Sequence, residues 1–322
     1  MKRIFILIAG MLLLGSLGWG VESILIDFSE LIADSEEFEG QHERTRIDFS
    51  EVPIPTLAQA DREGLSSSLF IENWSVTLAS SSRATENVTS SFARQAQVSD
   101  NADQFAGQAV MGIRVRFPES GFNSYAEIEP PFEIPAFDPE RRFYPDDEGE
   151  PGFGVIGNVG PIQQIRLNAY GLNFPHRISV LLEDQDNRVQ EVMMGDLEFD
   201  GWNTLVWDNP NYISDVRNRE LRVTPMYPRT EPLRRVAGFR IYRDGSQVGG
   251  DFVTYLKDIV VVHDQAMLPR ERDIEHEEVW EILTEREDAR RQNELRRLGR
   301  QQALEFLEQQ LLHEDDDEEA EE

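Results

Sequence analysis

Residues 162–213 constrain the fold more than any other part of the chain, because their apolar side chains recur with a period of two. Ile165, Leu167 and Ala169 alternate with Gln164, Arg166, Asn168 and Tyr170, and Ile178, Val180 and Leu182 alternate with Ser179 and Glu183. A strand buried on one face produces this period, since successive side chains point to opposite sides. The run from Glu183 to Arg188 contains Asp184, Asp186 and Asn187, whose side chains bond their own backbone, and it predicts a hairpin turn. Trp202 to Trp207 reads as a further short strand, opened by Gly201 and closed by Asn209-Pro210-Asn211, because proline cannot donate to a ladder. The stretch is expected to form consecutive antiparallel strands in one layer of a β-sandwich.

The flanking sequence supplies more strands. Trp74, Val76 and Leu78 alternate with Ser75 and Thr77, and Met111, Ile113, Val115 and Phe117 alternate with Gly112, Arg114 and Arg116 until Pro118 ends the run. Val236–Tyr242 and Phe252–Val262 read as two more strands, joined by a turn through Asp244-Gly245-Ser246 and Gly249-Gly250. The pentapeptide IDFSE occurs twice, at 26–30 and 47–51. Two copies do not make a solenoid, and a local duplication or a pair of edge strands is expected. Prolines 130, 131, 135, 139, 145 and 151 make residues 129–151 a long surface loop.

After Pro269 the composition changes to Glu, Arg, Gln and Leu without proline, which favours a helix. Leu295, Leu298, Leu304, Leu307 and Leu311 hold no clean heptad, so the helix is expected to dock by a narrow stripe. The predicted organisation is a signal peptide at 1–20, a sandwich at 21–268, a charged helix at 269–313 and a disordered acidic tail at 314–322. The fold class is all-β, a jelly-roll-like antiparallel β-sandwich of the galactose-binding type with a C-terminal α-helical extension and acidic tail.

At the N-terminus, Lys2 and Arg3 precede the apolar run Ile4–Leu14, and Gly18 and Gly20 stand at minus three and minus one before Val21, a cleavable secretory pattern. The run is too short to span a bilayer, so no membrane insertion is expected after its removal. The chain has no cysteine, which removes thiol chemistry and lipid acylation and leaves stability to packing. A net charge of −30 disfavours nucleic acid and anionic membranes as partners. Of 31 basic residues only Lys2 and Lys257 are lysine. The arginines suit bidentate ion pairs between subunits, though a GC-rich genome would give the same bias. If such pairs dominate an assembly, high salt should weaken it.

No catalytic, cofactor or metal site is expected. Gly152-Phe153-Gly154-Val155-Ile156-Gly157 matches the dinucleotide fingerprint, but an acidic proline loop precedes it and Asn158-Val159-Gly160-Pro161 follows where a helix must start, so it reads as a glycine-rich turn. His42, His176, His263, His276 and His313 have no ligand spacing, and no serine sits in a hydrolase elbow. Asn73-Trp74-Ser75 and Asn87-Val88-Thr89 fit a glycosylation sequon that is common by chance. Trp202, Trp207 and Tyr212 are candidates for a sugar-stacking platform, against the commoner outcome of burial under a loop. Asp27, Asp48 and Asp258 are candidates for a structural calcium by fold analogy alone.

Taken together, the signal pattern, the IDFS segment at 26–29, the Trp74 strand, GWNTLVWDNPNYI at 201–213, RVAGFRIYRD at 235–244 and DFVTYLKDIVVVHD at 251–264 resemble the flagellar filament outer-layer (sheath) proteins of spirochaetes. The resemblance covers most of residues 21–265. It implies a periplasmic structural protein of the endoflagellum that coats the flagellin core, contacts copies of itself, and affects filament stiffness and motility without catalysis. The alternatives are a secreted carbohydrate-binding module, which needs an exposed aromatic beside a cleft, and a glycan-active enzyme, which needs two carboxylates in one cleft.

Overall fold

The structure, a computed structural model, describes residues 20–33, 41–50, 65–119, 124–136, 142–144, 152–213, 231–268 and 281–321. The signal pattern lies outside them, apart from Gly20.

Among the described residues fourteen strands form two six-stranded antiparallel sheets and one small ribbon. In chain order they are β1 (Val21–Asp27), β2 (Ile47–Asp48), β3 (Ser66–Ser67), β4 (Ser75–Leu78), β5 (Phe92–Gln97), β6 (Ala109–Phe117) and β7 (Tyr125–Glu129). Then follow β8 (Val155–Gly157), β9 (Val159–Leu172), β10 (Arg177–Asp184), β11 (Val189–Asp196), β12 (Asp200–Asp208), β13 (Leu233–Tyr242) and β14 (Gly250–Gln265). Helices are α1 (Gln41–Arg44), α2 (Thr85–Thr89) and α3 (Ile282–Glu321).

Sheet I runs β12-β9-β14-β6-β5, and β1 pairs with the later half of β14, next to where β6 pairs with its first half. Sheet II runs β11-β10-β13-β7-β4, with β8 on β13. The layers are those of an antiparallel β-sandwich, as the alternation requires. The order of strands differs from the local reading in one respect. Residues 162–213 do not form one layer: β9 and β12 lie in sheet I, while β10 and β11, between them in the chain, lie in sheet II. Likewise β13 and β14 are not a hairpin but cross from one sheet to the other. Period two reports which face of a strand is buried, and it does not report which neighbour completes the ladder.

The core lies between the sheets. Met111, Ile113, Val115, Ile165, Leu167 and Ile259 from sheet I meet Ile128, Val180, Leu182, Val236, Phe239 and Ile241 from sheet II. Gly238 sits at a bulge in β13 with φ 145°, and a Cβ there would collide with the carbonyl of Ile128, so the bulge requires glycine.

Both IDFS segments use one local device. Asp27 Oδ1 accepts from the Ser29 amide and Asp48 Oδ1 from the Ser50 amide, each at 2.8 Å. The turn fixes the chain so that Ile26 and Phe28, and again Ile47 and Phe49, point into the core. Phe28 meets Trp74 edge-on at 5.5 Å and Phe239 at 5.9 Å, while Phe49 meets Phe132 at 6.3 Å.

The proline-rich loop is not confined to the surface. Among its described residues Phe132, Ile134 and Phe143 are buried, and Phe132 packs on Phe143 at 6.1 Å. Proline forbids a ladder there but not burial. Helix α3 extends through Glu321, so its backbone is helical across residues 314–321, where a disordered tail was expected. Self-repulsion of the acids opposes the helix, whereas the strong propensity of Glu and Ala and a proline-free run favour it. Residues 269–280, the expected start of the helix, lie outside the described residues.

Candidate functional site

Three groups of charged and aromatic side chains stand outside the intersheet core. The first joins α3 to sheet II. Arg235 on β13 lies opposite Glu183 on β10, and its guanidinium is 1% exposed. Its Nε and Nη2 donate to the Glu183 carboxylate at 3.1 and 2.9 Å, its Nη1 to Ile134 O at 3.0 Å and to Glu294 Oε1 at 3.1 Å, and its Nη2 to Asn187 Oδ1 at 3.1 Å and to Glu133. Glu294 comes from α3, and Arg297 one turn on pairs with Glu133. Burial pushes the Glu294 carboxyl above the usual range despite Arg235. At Glu133 burial acts the same way, but Arg297 and Arg235 outweigh it and hold the carboxyl low. Every donor of this buried arginine is therefore used to tie elements together. Leu298, Ala303 and Phe306 supply the apolar part of the docking. Between α3 and the sheet is a cavity of 790 Å³ whose lining includes Glu72, Asn73, Thr77, Glu129, Gln302 and Phe306.

The second group crosses the outer face of sheet II. Arg240 on β13 donates to Glu127 on β7 and, at 2.7 Å, to Glu191 on β11, and its guanidinium lies 5.0 Å from the Tyr125 ring centroid. Tyr242 donates to Glu191 at 2.7 Å.

The third group is a row on the outer face of sheet I. The registers place Trp202, Tyr170, Tyr255, Gly112 and Arg94 opposite one another across β12, β9, β14, β6 and β5. Trp202 meets Tyr170 at 5.4 Å and Tyr170 meets Tyr255 at 5.8 Å, both edge to face. Phe105, from a loop and with φ 55°, closes on Trp202 at 4.8 Å, also edge to face. Beside this row Thr204 Oγ1 donates to Asn168 Oδ1 at 2.5 Å, and Asn168 Nδ2 to Asp258 Oδ1 at 2.7 Å.

The candidate residues fall as follows. Trp202 and Trp207 lie on opposite faces, as strand parity requires, with Trp207 packed against the core. The Tyr212 hydroxyl donates to Asp264 Oδ1 at 3.0 Å. The three rings form no common platform, and Trp202 is covered by Phe105 from a loop that the alternation could not reveal. Of the calcium candidates, Asp27 and Asp258 converge on Lys257 Nζ, at 2.5 and 3.9 Å, while Asp48 lies in the small ribbon. An ammonium thus neutralises the place where a cation was considered. Burial lowers the His176 pKa to about 4, with Phe117, Phe174 and Phe252 around the ring, and its Nδ1 accepts the Asp244 amide at 3.2 Å. His263 is also buried, beside Ser23 and the Asp264 carbonyl. The other histidine side chains lie outside the described residues. Among the described residues no three His, Asp or Glu side chains are grouped to hold a metal. Gly154, φ 96°, receives the Val236 amide on its carbonyl and donates to Leu25, so the glycine-rich turn stitches three strands. The sequon amides of Asn73 and Asn87 each donate to a backbone carbonyl at 3.0 Å.

These features define a β-sandwich whose charged clusters fasten one element to another and whose outer faces are broad and studded with rings and arginines. The chain belongs to the flagellar filament outer layer protein (FlaA) family, whose pattern matches residues 39–272. It is 43% identical over 317 residues to the flagellar filament outer layer protein of Spirochaeta aurantia, covering 97% of this chain and 94% of that one. It is 38% identical over 333 residues to the protein of the same name from Treponema pallidum, covering 97% and 95%. Among solved structures it is similar to carbohydrate-binding modules of the β-sandwich superfamily, at 13% identity and a TM-score of 0.30 over 58% of this chain and 56% of that one.

Proposed function

We propose that this protein is a non-catalytic subunit that coats the flagellin core of a periplasmic flagellum, reaching the periplasm by a cleaved signal at residues 1–20 and contacting flagellin and copies of itself. The observation that carries the reading is the similarity to flagellar filament outer layer proteins along nearly the whole chain, α3 included. The interior agrees with it: buried charges such as Arg235 and Lys257 are engaged in fastening the fold. A coat of this kind stiffens the filament and affects motility. The domain division into signal, sandwich at 21–268 and helical extension belongs to the same reading, with the helix carried on through the acidic end. The test is to isolate flagella from the source cell, sediment them, and quantify peptides from residues 21–322 against flagellin. Recovery in stoichiometric amount, and loss of filament stiffness on deletion, is the expected result. Recovery only in the soluble periplasm would overturn it. A carbohydrate-binding role gains nothing from the aromatic row, whose rings meet edge to face and present no flat array.

A further inference from the structure

The end strands of a sheet carry unpaired backbone donors and acceptors, and proteins ordinarily protect them by shortness, charge, bulges or cover. Among the described residues six strands of the two large sheets have one strand neighbour, β1, β4, β5, β8, β11 and β12, and all but β12 are protected. β8 has only three residues, and β1 carries Glu22, is broken by a bulge near Ile24 and receives the Gly154 amide on the Leu25 carbonyl. β4 has only four residues. β11 carries Glu191 and is broken by a bulge near Gly195. β5 carries Arg94 and is overlaid by the turn Ile71–Asn73 and by a bond from the Ala33 amide to Gln95.

Among the described residues β12 has none of these devices along its open edge, and only the ring of Trp202, on its outer face, is packed by Phe105. The strand is nine residues long, pairs with β9 without a register shift, and bears charge only at its ends, Asp200 and Asp208. Among the described residues β9 is its one strand neighbour. Asn203, Thr204 and Val206 are exposed, Val206 by 45%.

We propose that β12 is a homophilic edge, pairing antiparallel with β12 of a second copy so that Thr204 faces its counterpart and two sheets I join into one. The sequence of the strand selects both the occupant and the register. With Thr204 at the centre, Trp202 of each copy stands opposite Val206 of the other, an aromatic and a β-branched side chain on the same outer face, and the pair occurs twice. A slip of one residue turns the second sheet over, and a slip of two sets Trp202 opposite Thr204 or Asp208. The same register sets Asp200 opposite Asp208 at both ends, so repulsion limits the pairing and salt relieves it. The proposal deepens the self-association part of the function above and rests on it there alone.

The absence of cysteine makes the test direct. In the mature chain, Thr204→Cys places two thiols face to face, whereas Val248→Cys, at a position 77% exposed and away from β12, does not. Mild oxidation is expected to give a disulfide dimer with Thr204→Cys and not with Val248→Cys. In sedimentation velocity over about 1–100 μM, the wild type is expected to dimerise, raising NaCl from about 50 to about 500 mM to tighten the dimer, and Val206→Lys to weaken it about tenfold or more. A monomer throughout, a dimer that salt weakens, or cross-linking no faster at position 204 than at 248 would overturn the proposal. Co-sedimentation with flagella keeps the two ideas apart. Wild type that pellets with filaments yet never pairs through β12 refutes the edge and leaves the coat standing, and wild type that pairs but does not pellet does the reverse.

Discussion

His176 shows how much one buried ring governs. It is 3% exposed and surrounded by three phenylalanines, and burial holds its pKa at about 4 against an ordinary value of 6.5. Above pH 6.5 the ring is neutral in both folded and unfolded chains, and its contribution is fully present. As pH falls below 6.5 the unfolded chain takes up a proton that the folded chain refuses, so stability is lost, up to about 3 kcal/mol by pH 4. His263, also lowered by burial, adds in the same sense. Carboxyls raised by burial, among them Glu129, Asp258 and Glu294, act in the opposite sense, so the readout is a difference. Urea unfolding of wild type and His176→Leu between pH 7 and pH 5 should show the wild type losing about 1–2 kcal/mol relative to the variant. Parallel pH profiles would show that the ring is not held neutral.

At the scale of elements, α3 is attached to the sandwich, among the described residues, by side chains alone, without a ladder. Its attachment combines polar links, Arg235 with Glu294, Arg297 with Glu133 and Gln302 with the Pro131 carbonyl, with a thin apolar stripe that contains Leu298, 1% exposed. Leu298→Asp removes about 2 kcal/mol of burial and sets a carboxylate in a buried apolar position. The expected outcome is release of α3 with the sandwich intact: faster amide exchange in 290–307 and 131–136, and little change in β9 or β14. Global unfolding instead would show that α3 is part of the cooperative core. This element also marks what the sequence could and could not convey. The docking stripe was readable only at Leu298: Leu304 is 62% exposed, and Ala303 and Phe306, which the leucine spacing does not mark, complete the contact. The partner of the stripe was not readable, because Arg235 with Glu183 joins residues far apart in the chain, and a charge pair inside an apolar strand has no local signature. The strands at 111–117 and 165–169 were readable because burial of one face leaves a pattern, and their assignment to sheets was not, since β9 finds β14 some ninety residues later. Phe132, Ile134 and Phe143 were hidden by neighbouring prolines, and the cover of Trp202 by Phe105 depends on a loop without period.

For the molecule as a whole, the charge of −30 sets the balance between repulsion and pairing. Its ion pairs fall into two kinds. Arg235 and Lys257 are buried and shielded from mobile ions, whereas pairs such as Arg94 with Glu72 and Arg177 with Asp196 are exposed and individually worth little. Salt therefore weakens only contacts that contribute little, while it screens a net repulsion that acts across the whole surface and opposes the compact state. The thermal midpoint of the chain should rise as NaCl goes from about 20 to about 500 mM, by a few degrees for about 1–2 kcal/mol of relieved repulsion in a chain of this size. The comparison is best made at a protein concentration low enough to keep the chain monomeric, and with Val206→Lys alongside, so that pairing through β12 does not enter. A midpoint that falls with salt would mean that the exposed arginine–carboxylate pairs dominate the surface, and would favour an assembly joined by such pairs rather than by a strand edge whose terminal aspartates repel.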